Sequence, residues 1–424
     1  MTTAVGEQGY AQTTVADVIA IAGVSRKAFY EHFANREECF LATYDMIIAE
    51  GVERVGSAYR TADSRKAAIA AGIEALFTRA IQNPAEVRIV LVEIGAVGSA
   101  GAERRELLMG AYEQLLREGV KLERGTGTIP NPILRALVGG VTHVLHSWVS
   151  VGRERRLKKV VPDLVDWFTS YYPAPEAMLT LRDPAPKRPF AGLVGGRAPG
   201  SLSPPAPSST KRRGLRGEHI GSHSFVVHSQ RERILDAVAN LSASKGYAAV
   251  TVKDIAEQAA VSLDAFYEHY AGKEDAFLVA YEVGHAKGLT IVEHAYDAAS
   301  DWRSAIRAAI AALFDFLASE PAFAHLSLVD ARVATDRTAE RASRGVSAYA
   351  QMLLPGFERA RGRSGPPSVA VEAIIGGIFE LCLSYTLQNR AEALSELVPR
   401  ATYFALAPFV GAEEAGRLAT EHLD

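Results

Sequence analysis

Apolar residues recur at helical spacing along most of the chain, and one pattern of twenty residues occurs twice. The copies read TVADVIAIAGVSRKAFYEHF at residues 14–33 and TVKDIAEQAAVSLDAFYEHY at residues 251–270. Each begins with a T-x-x-D helix cap, followed by apolar residues at i, i+3 and i+7. Gly23 or Ala260 then stands at the end of this helix, and Ser25 or Ser262 is a suitable cap for a second one. Each copy therefore predicts two short helices joined by a tight turn, the second short enough to enter a major groove of DNA.

The likeness between the two halves extends beyond this pattern at a constant separation of 237 residues. Without any gap, identical residues recur far along each half: Tyr44 and Tyr281, Pro84 and Pro321, Gly139-Gly140 and Gly376-Gly377, and Pro162 and Pro399. A repeat of this length indicates the duplication of a complete structural unit. Windows of helical period fill both units and none alternates at the period of a strand, so we predict an all-α fold.

Each unit is predicted to contain a helix-turn-helix domain followed by a larger helical domain. The predicted boundaries are 1–50 and 51–172 in the first unit, and 229–285 and 286–424 in the second. Between them, residues 173–228 are rich in proline, glycine, serine and alanine, a composition typical of a disordered linker. The basic run KRRGLR at residues 211–216 is interpreted either as solvated linker or as an arm that follows a minor groove.

The two helix-turn-helix domains differ in what precedes them. An amphipathic helix is predicted at residues 230–245 before the second copy, whereas Met1 aligns with Val238, so most of this helix is missing from the first copy. We expect either that the natural chain begins upstream of Met1 or that the first domain lacks a supporting helix. In the second case, the lost apolar face should destabilise its three-helix core by several kcal/mol.

Composition limits the ways in which this chain could bind nucleic acid. The net charge is −3 and both predicted helix-turn-helix domains, 1–50 and 229–285, carry more acidic than basic residues, so DNA binding would depend on a few well-placed cations and hydroxyl groups. Cys39 and Cys382 occupy non-equivalent positions, which predicts no disulfide framework and fits a reducing compartment. The N-terminus does not resemble a signal peptide. The apolar run at residues 138–151 is interrupted by two histidines and is interpreted as a buried helix rather than a membrane span.

The two copies resemble the DNA-binding domain of tetracycline-repressor (TetR) family regulators, on the residues AFYEHF or AFYEHY and the R-E or K-E pair that follows. The resemblance implies a cytoplasmic, nucleoid-associated regulator, not an enzyme, that binds double-stranded operator DNA without a cofactor or metal. It also implies ligand-controlled repression, in which a small molecule enters the helical effector domain. In this family the last two helices of each unit form the dimer interface. The glycine pairs fit that role, although ordinary packing within one domain would also explain them.

The resemblance also assigns candidate DNA contacts to positions of this chain. They are Thr14, Arg26, Lys27, Tyr30, His32 and Arg36 in the first copy, and Thr251, Leu263, Asp264, Tyr267, His269 and Lys273 in the second. Arg26 and Lys27 are suited to base edges or phosphates, whereas Leu263 and Asp264 replace them in the second copy. The tyrosines are assigned to the DNA backbone, the histidines to a further contact position, the threonines to capping and phosphate contacts, and Arg36 and Lys273 to phosphates at the start of the next helix.

The sequence is compatible with two arrangements of the units and with two functions. The fused units can form a pseudo-dimer within one chain, which reads two unlike half-sites, or each unit can pair with its twin in a second chain. The alternative function is a ligand-sensing or protein-interaction module that has lost specific DNA binding. His143, His146 and Glu93 are interpreted either as part of the effector cavity or as polar groups satisfied within a core. The histidines at 219, 223 and 228 and the glycine-rich residues 192–200 match no metal or phosphate site.

Overall fold

In the computed structural model, the described residues are 1–120, 129–184, 222–359 and 368–421, and every regular element in these ranges is a helix. The predicted all-α fold is therefore confirmed. The helices of the first half are α1 Thr2–Gln8, α2 Val15–Ala22, α3 Arg26–His32, α4 Arg36–Arg60, α5 Arg65–Gln82, α6 Pro84–Leu91, α7 Ser99–Val120, α8 Asn131–Ser150, α9 Val161–Thr169 and α10 Glu176–Thr180. Short 3-10 helices span Glu93–Val97 and Glu154–Val160.

The helices of the second half follow the same order. They are α11 Ser222–Lys245, α12 Val252–Ala259, α13 Leu263–His269, α14 Lys273–Asp297, α15 Trp302–Ser319, α16 Pro321–Leu328, α17 Asp336–Ala348, α18 Pro355–Arg359, α19 Val369–Leu387, α20 Val398–Val410 and α21 Ala412–Thr420. The 3-10 helices are Tyr247–Ala249, Asp330–Arg332, Tyr349–Leu353 and Ala391–Leu397. Helices α12 to α16 begin 237 residues after α2 to α6, as expected for a duplicated unit.

The helix-turn-helix domains, which we call the first head (α1–α3) and the second head (α11–α13), have cores of different size. In the second head, Ile234 and Val238 of the long α11 pack with Ile255 and Phe266. The first head has only the seven residues of α1 at this position. One small cluster contains Ala4, Val18, Phe29 and Cys39, and a separate cluster packs Val5 and Tyr10 against α4. Ile21 and Val24 of the first head remain 49% and 45% exposed. The first head therefore buries less apolar surface, and we expect it to be the less stable of the two.

Helices α8 and α19 join the two halves at their glycine pairs. A Cβ atom at Gly140 would lie 2.5 Å from the carbonyl oxygen of Ala373, and one at Gly377 would lie 2.5 Å from that of Ala136. Side chains at these positions would overlap backbone, so only glycine permits this separation of the helix axes. The close helix–helix approach predicted from the glycine pairs is present, and it lies between the halves of one chain.

Helices α9 and α20 complete a four-helix bundle with α8 and α19. Trp167 and Phe404, which occupy equivalent positions of the two halves, meet edge to face with ring centroids 6.0 Å apart. The Tyr171 hydroxyl donates to the carbonyl oxygen of Phe404 at 2.8 Å, and the Tyr403 hydroxyl donates to that of Tyr171 at 3.1 Å. The interface is therefore a continuous apolar core in which both of these tyrosine hydroxyls are hydrogen-bonded, as in obligate dimers.

The linker predicted for residues 173–228 is shorter than its composition indicates. Met178 of α10 is fully buried. Arg400 of α20 donates to the carbonyl oxygens of Leu181 and Arg182 at 2.6 and 3.0 Å, and lies 2.8 Å from Asp183. The prediction of disorder is wrong for residues 173–184, because buried Met178 and the contacts of Arg400 hold this proline-rich segment against the second half. It is also wrong for residues 222–228, which belong to helix α11. Residues 185–221, with the basic run at 211–216 and the first of the three linker histidines, lie outside the described residues.

One helix is long and apolar enough to cross a membrane within the ranges given above. It is Val369–Leu387, and 78% of its most apolar window is buried inside the protein. A second candidate, Trp302–Ser319 with Pro321–Arg332, passes only as a pair bent by 106°. This helix, α19, is buried because it lies within the four-helix bundle, as the core helix of a folded domain does.

Charged side chains also cross the junction between the halves. Arg105 of α7 pairs with Glu380 of α19, and Arg135 of α8 lies 3.5 Å from the same carboxylate. Nearby, the Arg332 guanidinium lies 3.4 Å from Nδ1 of His146. Burial, with repulsion from Arg332, lowers the pKa of His143 to about 4 and that of His146 to about 3. Both imidazoles are therefore neutral in the folded protein near pH 7.

These two histidines predict a loss of stability in mild acid. In the unfolded chain they titrate near about 6.5, so below that pH the unfolded state binds protons that the folded state cannot. At about pH 5 each histidine should lower the free energy of unfolding by roughly 2 kcal/mol. We expect the double variant His143→Asn, His146→Asn to lose about 4 kcal/mol less than the natural chain between about pH 7.5 and 5. Urea unfolding at both pH values measures this, and equal losses in the two proteins would contradict it.

Candidate nucleic-acid interface

The first helix of each motif is fixed by the predicted capping box. The Thr14 hydroxyl oxygen accepts from the backbone N–H of Asp17 at 3.2 Å, and the Asp17 carboxylate accepts from the backbone N–H of Thr14 at 2.8 Å. Thr251 and Asp254 repeat this at 3.1 and 3.0 Å. These hydrogen bonds lower the pKa of both partly exposed aspartates. The two threonines therefore set the starts of α2 and α12, and Thr14 also donates its hydroxyl proton to Asp17 at 2.7 Å.

The turn between the two helices requires one residue in the left-handed region. Gly23 has φ 67° and Ala260 has φ 49°, and both end the preceding helix. The next residue closes the turn, with the Val24 N–H donating to Ile19 at 3.2 Å and the Val261 N–H donating to Ala256 at 3.0 Å. The same turn thus forms in both heads, although an alanine side chain is strained in this conformation.

Ala260→Gly should stabilise the second head by about 1 kcal/mol, because glycine adopts positive φ without a clash between Cβ and the carbonyl oxygen. The matched change Gly23→Ala should destabilise the first head by a similar amount. Hydrogen exchange of the amide groups in α12 and in α2 measures the stability of the second and the first head separately. Faster exchange in α12 of the Ala260→Gly variant would contradict the argument.

The second helices, α3 and α13, present one apolar and one exposed face. Ser25 and Ser262 cap them by accepting from the backbone N–H of Ala28 and Ala265. Phe29 and Phe266 are buried, at 4% and 0% exposure. The other faces carry Tyr30 and Tyr267, which are 46% and 57% exposed. Each short helix is therefore anchored by one phenylalanine and exposes its amino-terminal residues and its tyrosine to solvent, as a recognition helix requires.

The exposed faces of the two recognition helices differ in charge. In α3, the Arg26 guanidinium lies 5.8 Å from the centroid of the Tyr30 ring, and Lys27 lies 3.9 Å from Glu31 with both side chains largely in solvent. Such an exposed ion pair is worth little, so Lys27 remains available to a phosphate or base. In α13, the same two positions carry Leu263, which is 47% exposed, and the exposed Asp264.

Arg36 and Lys273 lie at the predicted positions but bind within the protein. Nη1 of Arg36 donates to the carbonyl oxygens of Thr13 and Tyr10 at 2.6 and 3.2 Å, and its guanidinium lies 4.3 Å from the centroid of the Tyr10 ring. Lys273 repeats this with Tyr247, at 3.0 Å from the carbonyl oxygen and 4.2 Å from the ring centroid. Burial lowers the pKa of Lys273. These cations hold the segment that precedes α2 or α12, a role that the motif alone does not reveal.

The histidines at the ends of the recognition helices differ in exposure. His32 is exposed, whereas His269 is partly buried and its Nε2 makes no hydrogen bond within the described part of the chain. Across the same described ranges, no group of three or more histidine, cysteine, aspartate or glutamate side chains could hold a metal ion.

In each half, one buried acidic residue connects the head to the helical domain that follows it. The Glu93 carboxylate accepts from the backbone N–H of Tyr10 at 2.8 Å and from Arg88 at 2.7 Å. In the second half, Asp330 accepts from the backbone N–H of Tyr247 at 3.2 Å and lies 3.1 Å from His325. Glu93 therefore holds the first head rather than lining an effector cavity. The signal in the sequence was an acid five residues after a basic residue at the same place in both repeats.

Comparison with known proteins gives a family for the two heads. The model of "Bacterial regulatory proteins, tetR family" matches residues 4–43 and 234–280. The chain is 27% identical over 113 residues to the HTH-type transcriptional activator FasR of Mycolicibacterium smegmatis. That match covers 26% of this chain and 52% of the relative, so it spans about half the length of the relative.

A solved structure also aligns with part of this chain. It is the fatty acid degradation regulator FadR from Bacillus halodurans, with a TM-score of 0.38 and 19% sequence identity. The alignment covers 41% of this chain and 97% of that one.

Proposed function

Because the chain belongs to the tetR family of bacterial regulatory proteins, we propose that it acts as a single-chain pseudo-dimer that represses transcription from an asymmetric operator. The four-helix bundle of α8, α9, α19 and α20 is the observation that carries this proposal. It brings the two units together within one chain and leaves the amino-terminal residues and the tyrosine of both α3 and α13 exposed. A separate second chain is then not needed for two heads to bind one site.

The two heads are proposed to contact unlike half-sites. In the first head, Arg26 and Lys27 contact bases or phosphates, while Thr14, Tyr30 and His32 contact the backbone. In the second head, Leu263 contacts an apolar group such as a thymine methyl, and Asp264 accepts from a cytosine amino group. Thr251, Tyr267 and His269 contact the backbone there. Arg36 and Lys273 act indirectly, by holding the segment before the first helix of each motif.

Control by a small effector molecule is the second part of the proposal. A ligand that fits one arrangement of the heads better than another shifts the population between binding and non-binding states. The links from Glu93 and Asp330 to the heads support such coupling, because they join each head directly to its helical domain. We propose that the protein works in the cytoplasm on the nucleoid. The relative FasR is named an activator, so activation is the alternative outcome of regulation.

Selection of bound sequences from a random DNA pool tests the proposal. We expect one consensus with two unlike half-sites, protected by one chain per duplex in a footprint and in light scattering. A palindromic consensus bound by two chains would instead support the arrangement in which each unit pairs with its twin. No specific binding at low salt would favour a ligand-sensing or protein-interaction module, which the acidic surface of the second head supports.

A further inference from the structure

We propose that each chain binds a single effector molecule, in its second half only, and that this ligand is an uncharged, largely apolar small molecule with one hydrogen-bonding group. The regulatory consequence rests on the proposed function, whereas the binding site itself rests on the cavity described next.

A cavity of about 120 Å3 lies between α14, α15, α16, α17 and α19 of the second half. Its walls are mostly aliphatic and aromatic, with Val292, Ile310, Leu313, Phe316, Phe323 and Ile378 among them. Its lining residues include no aspartate, glutamate, lysine or arginine. A charged ligand would therefore lose its hydration without gaining a counter-ion, which excludes charged molecules on energetic grounds.

Three polar side chains converge on this cavity. The rings of Tyr281 and His285 stack with centroids 5.7 Å apart, and His285 meets Tyr349 edge to face at 5.9 Å. The Tyr281 hydroxyl has only a 3.5 Å contact with the carbonyl oxygen of Arg341. The imidazole of His285 and the side chain of Tyr349 line the same cavity as Tyr281. Burial raises the pKa of Tyr281 to about 12 and lowers that of His285, so both are neutral and can donate to or accept from one ligand group.

The equivalent region of the first half is closed by an ion cluster. Arg79 and Glu86 occupy the positions of Phe316 and Phe323, whose rings lie 5.6 Å apart in the second half. Arg79 lies 2.8 Å from Glu86 and 2.7 Å from Glu50. Only about 60 Å3 of space remains there. An apolar ligand at this place would separate a partly buried arginine from its carboxylates, at a cost that apolar contact does not offset.

Gly345 leaves Tyr281 and His285 accessible to a ligand in the cavity of the second half. A Cβ at this position would lie 2.3 Å from the Tyr281 hydroxyl and 3.1 Å from Cε1 of His285. The equivalent residue of the first half is Leu108, which is 3% exposed. The difference between glycine and leucine thus keeps the polar groups open to a ligand in one half and fills the space in the other.

The size and position of the cavity indicate how a ligand would act. Ligand sites commonly measure about 300 Å3 or more, so a molecule larger than the cavity must part the surrounding helices. Two of these helices, α14 and α16, pack against α11 of the second head. Asp330 follows α16 and accepts from the backbone N–H of Tyr247 in the same head. Binding is therefore expected to move the second head while the first keeps its place, a one-sided switch.

Calorimetric titration of the full chain with 1-naphthol, an uncharged bicyclic compound with one hydroxyl, tests the site. We expect one molecule bound per chain. Gly345→Leu and Phe323→Glu, which introduce the residues of the first half, should each weaken binding at least tenfold. Gly110→Ala is the control, because a Cβ at Gly110 has nothing within 4 Å. Thermal unfolding monitored by circular dichroism identifies any variant that fails to fold. If Gly345→Leu fails to fold, the binding test relies on Phe323→Glu.

The outcomes separate this inference from the proposed function. Two equal sites per chain, undiminished binding by both folded variants, or no binding up to the solubility of 1-naphthol would overturn it. One site that both variants remove supports it, even if the selected DNA pool shows no specific binding. In that case the ligand site would stand and the role in transcription would fail.

Discussion

Gly140→Ala and Gly377→Ala should each lower the free energy of unfolding by about 3 kcal/mol and abolish tight operator binding. A Cβ would lie 2.5 Å from a backbone carbonyl oxygen in either variant and also overlap an aromatic ring, that of Trp167 at 2.7 Å or Phe404 at 2.5 Å. Backbone oxygens cannot rotate away as flexible side chains do, so α8 and α19 must move apart. The apolar bundle would then be exposed and the heads displaced. Urea unfolding and gel shifts measure the two effects.

Gly110→Ala provides the matched control for these substitutions. This glycine is also helical, in α7, but it has open space around it. Alanine there should be neutral or stabilise by up to about 1 kcal/mol, because it has the higher helix propensity. If Gly140→Ala and Gly377→Ala behave like Gly110→Ala, the close approach of α8 and α19 is not what holds the halves together.

The double substitution Leu263→Arg, Asp264→Lys should make the preferred operator palindromic and increase affinity about 100-fold. It gives α13 the two cations that open α3, and a good contact to a base pair contributes about 1–3 kcal/mol. The converse pair, Arg26→Ala with Lys27→Ala, should weaken binding roughly 10- to 100-fold and relax only one half-site. Selection from a random pool, repeated at two salt concentrations, measures both changes.

A control with the same two cations placed outside both heads separates base recognition from general attraction to DNA. Leu107 and Val151 are 70% and 63% exposed and lie outside both heads. Leu107→Arg with Val151→Lys adds the same cations and removes no carboxylate, so it should leave the half-sites unlike. A palindrome selected by this control, or an asymmetric site kept by the Leu263→Arg, Asp264→Lys variant, would contradict the assignment of α13 as a recognition helix.

The sequence predicted the all-α class, the duplication and the helix-turn-helix elements because these depend on local signals. Capping threonines, a residue tolerant of positive φ and apolar spacing act within a few residues of each other. The order at residues 173–184 could not be predicted in this way. It depends on the burial of Met178 and on Arg400, whose sequence position is more than 200 residues away from its partners.

The sequence predicts which faces of the two motif helices are exposed, but not the contacts made by every candidate residue. The exposed faces of α3 and α13 follow from the motif, since the phenylalanine anchors define the buried side. The inward direction of Arg36 and Lys273 cannot be inferred from the motif. It is set by carbonyl oxygens and a tyrosine ring in the segment that precedes α2 or α12. The difference between the two cavities could not be predicted from the sequence either. It depends on how the side chains at three equivalent positions fill space in the folded protein: Gly345, Phe316 and Phe323 in the second half, and Leu108, Arg79 and Glu86 in the first.

Under the proposed function, the four-helix bundle within one chain changes how occupancy of DNA depends on protein level. Two separate subunits must first meet, so at low abundance the active species falls with the square of concentration. Here the partner of each half is covalently attached, and its effective concentration stays fixed however far the cell dilutes the protein. Operator occupancy should therefore rise in simple proportion to the number of chains. A few molecules per cell would suffice for control, without a threshold set by assembly.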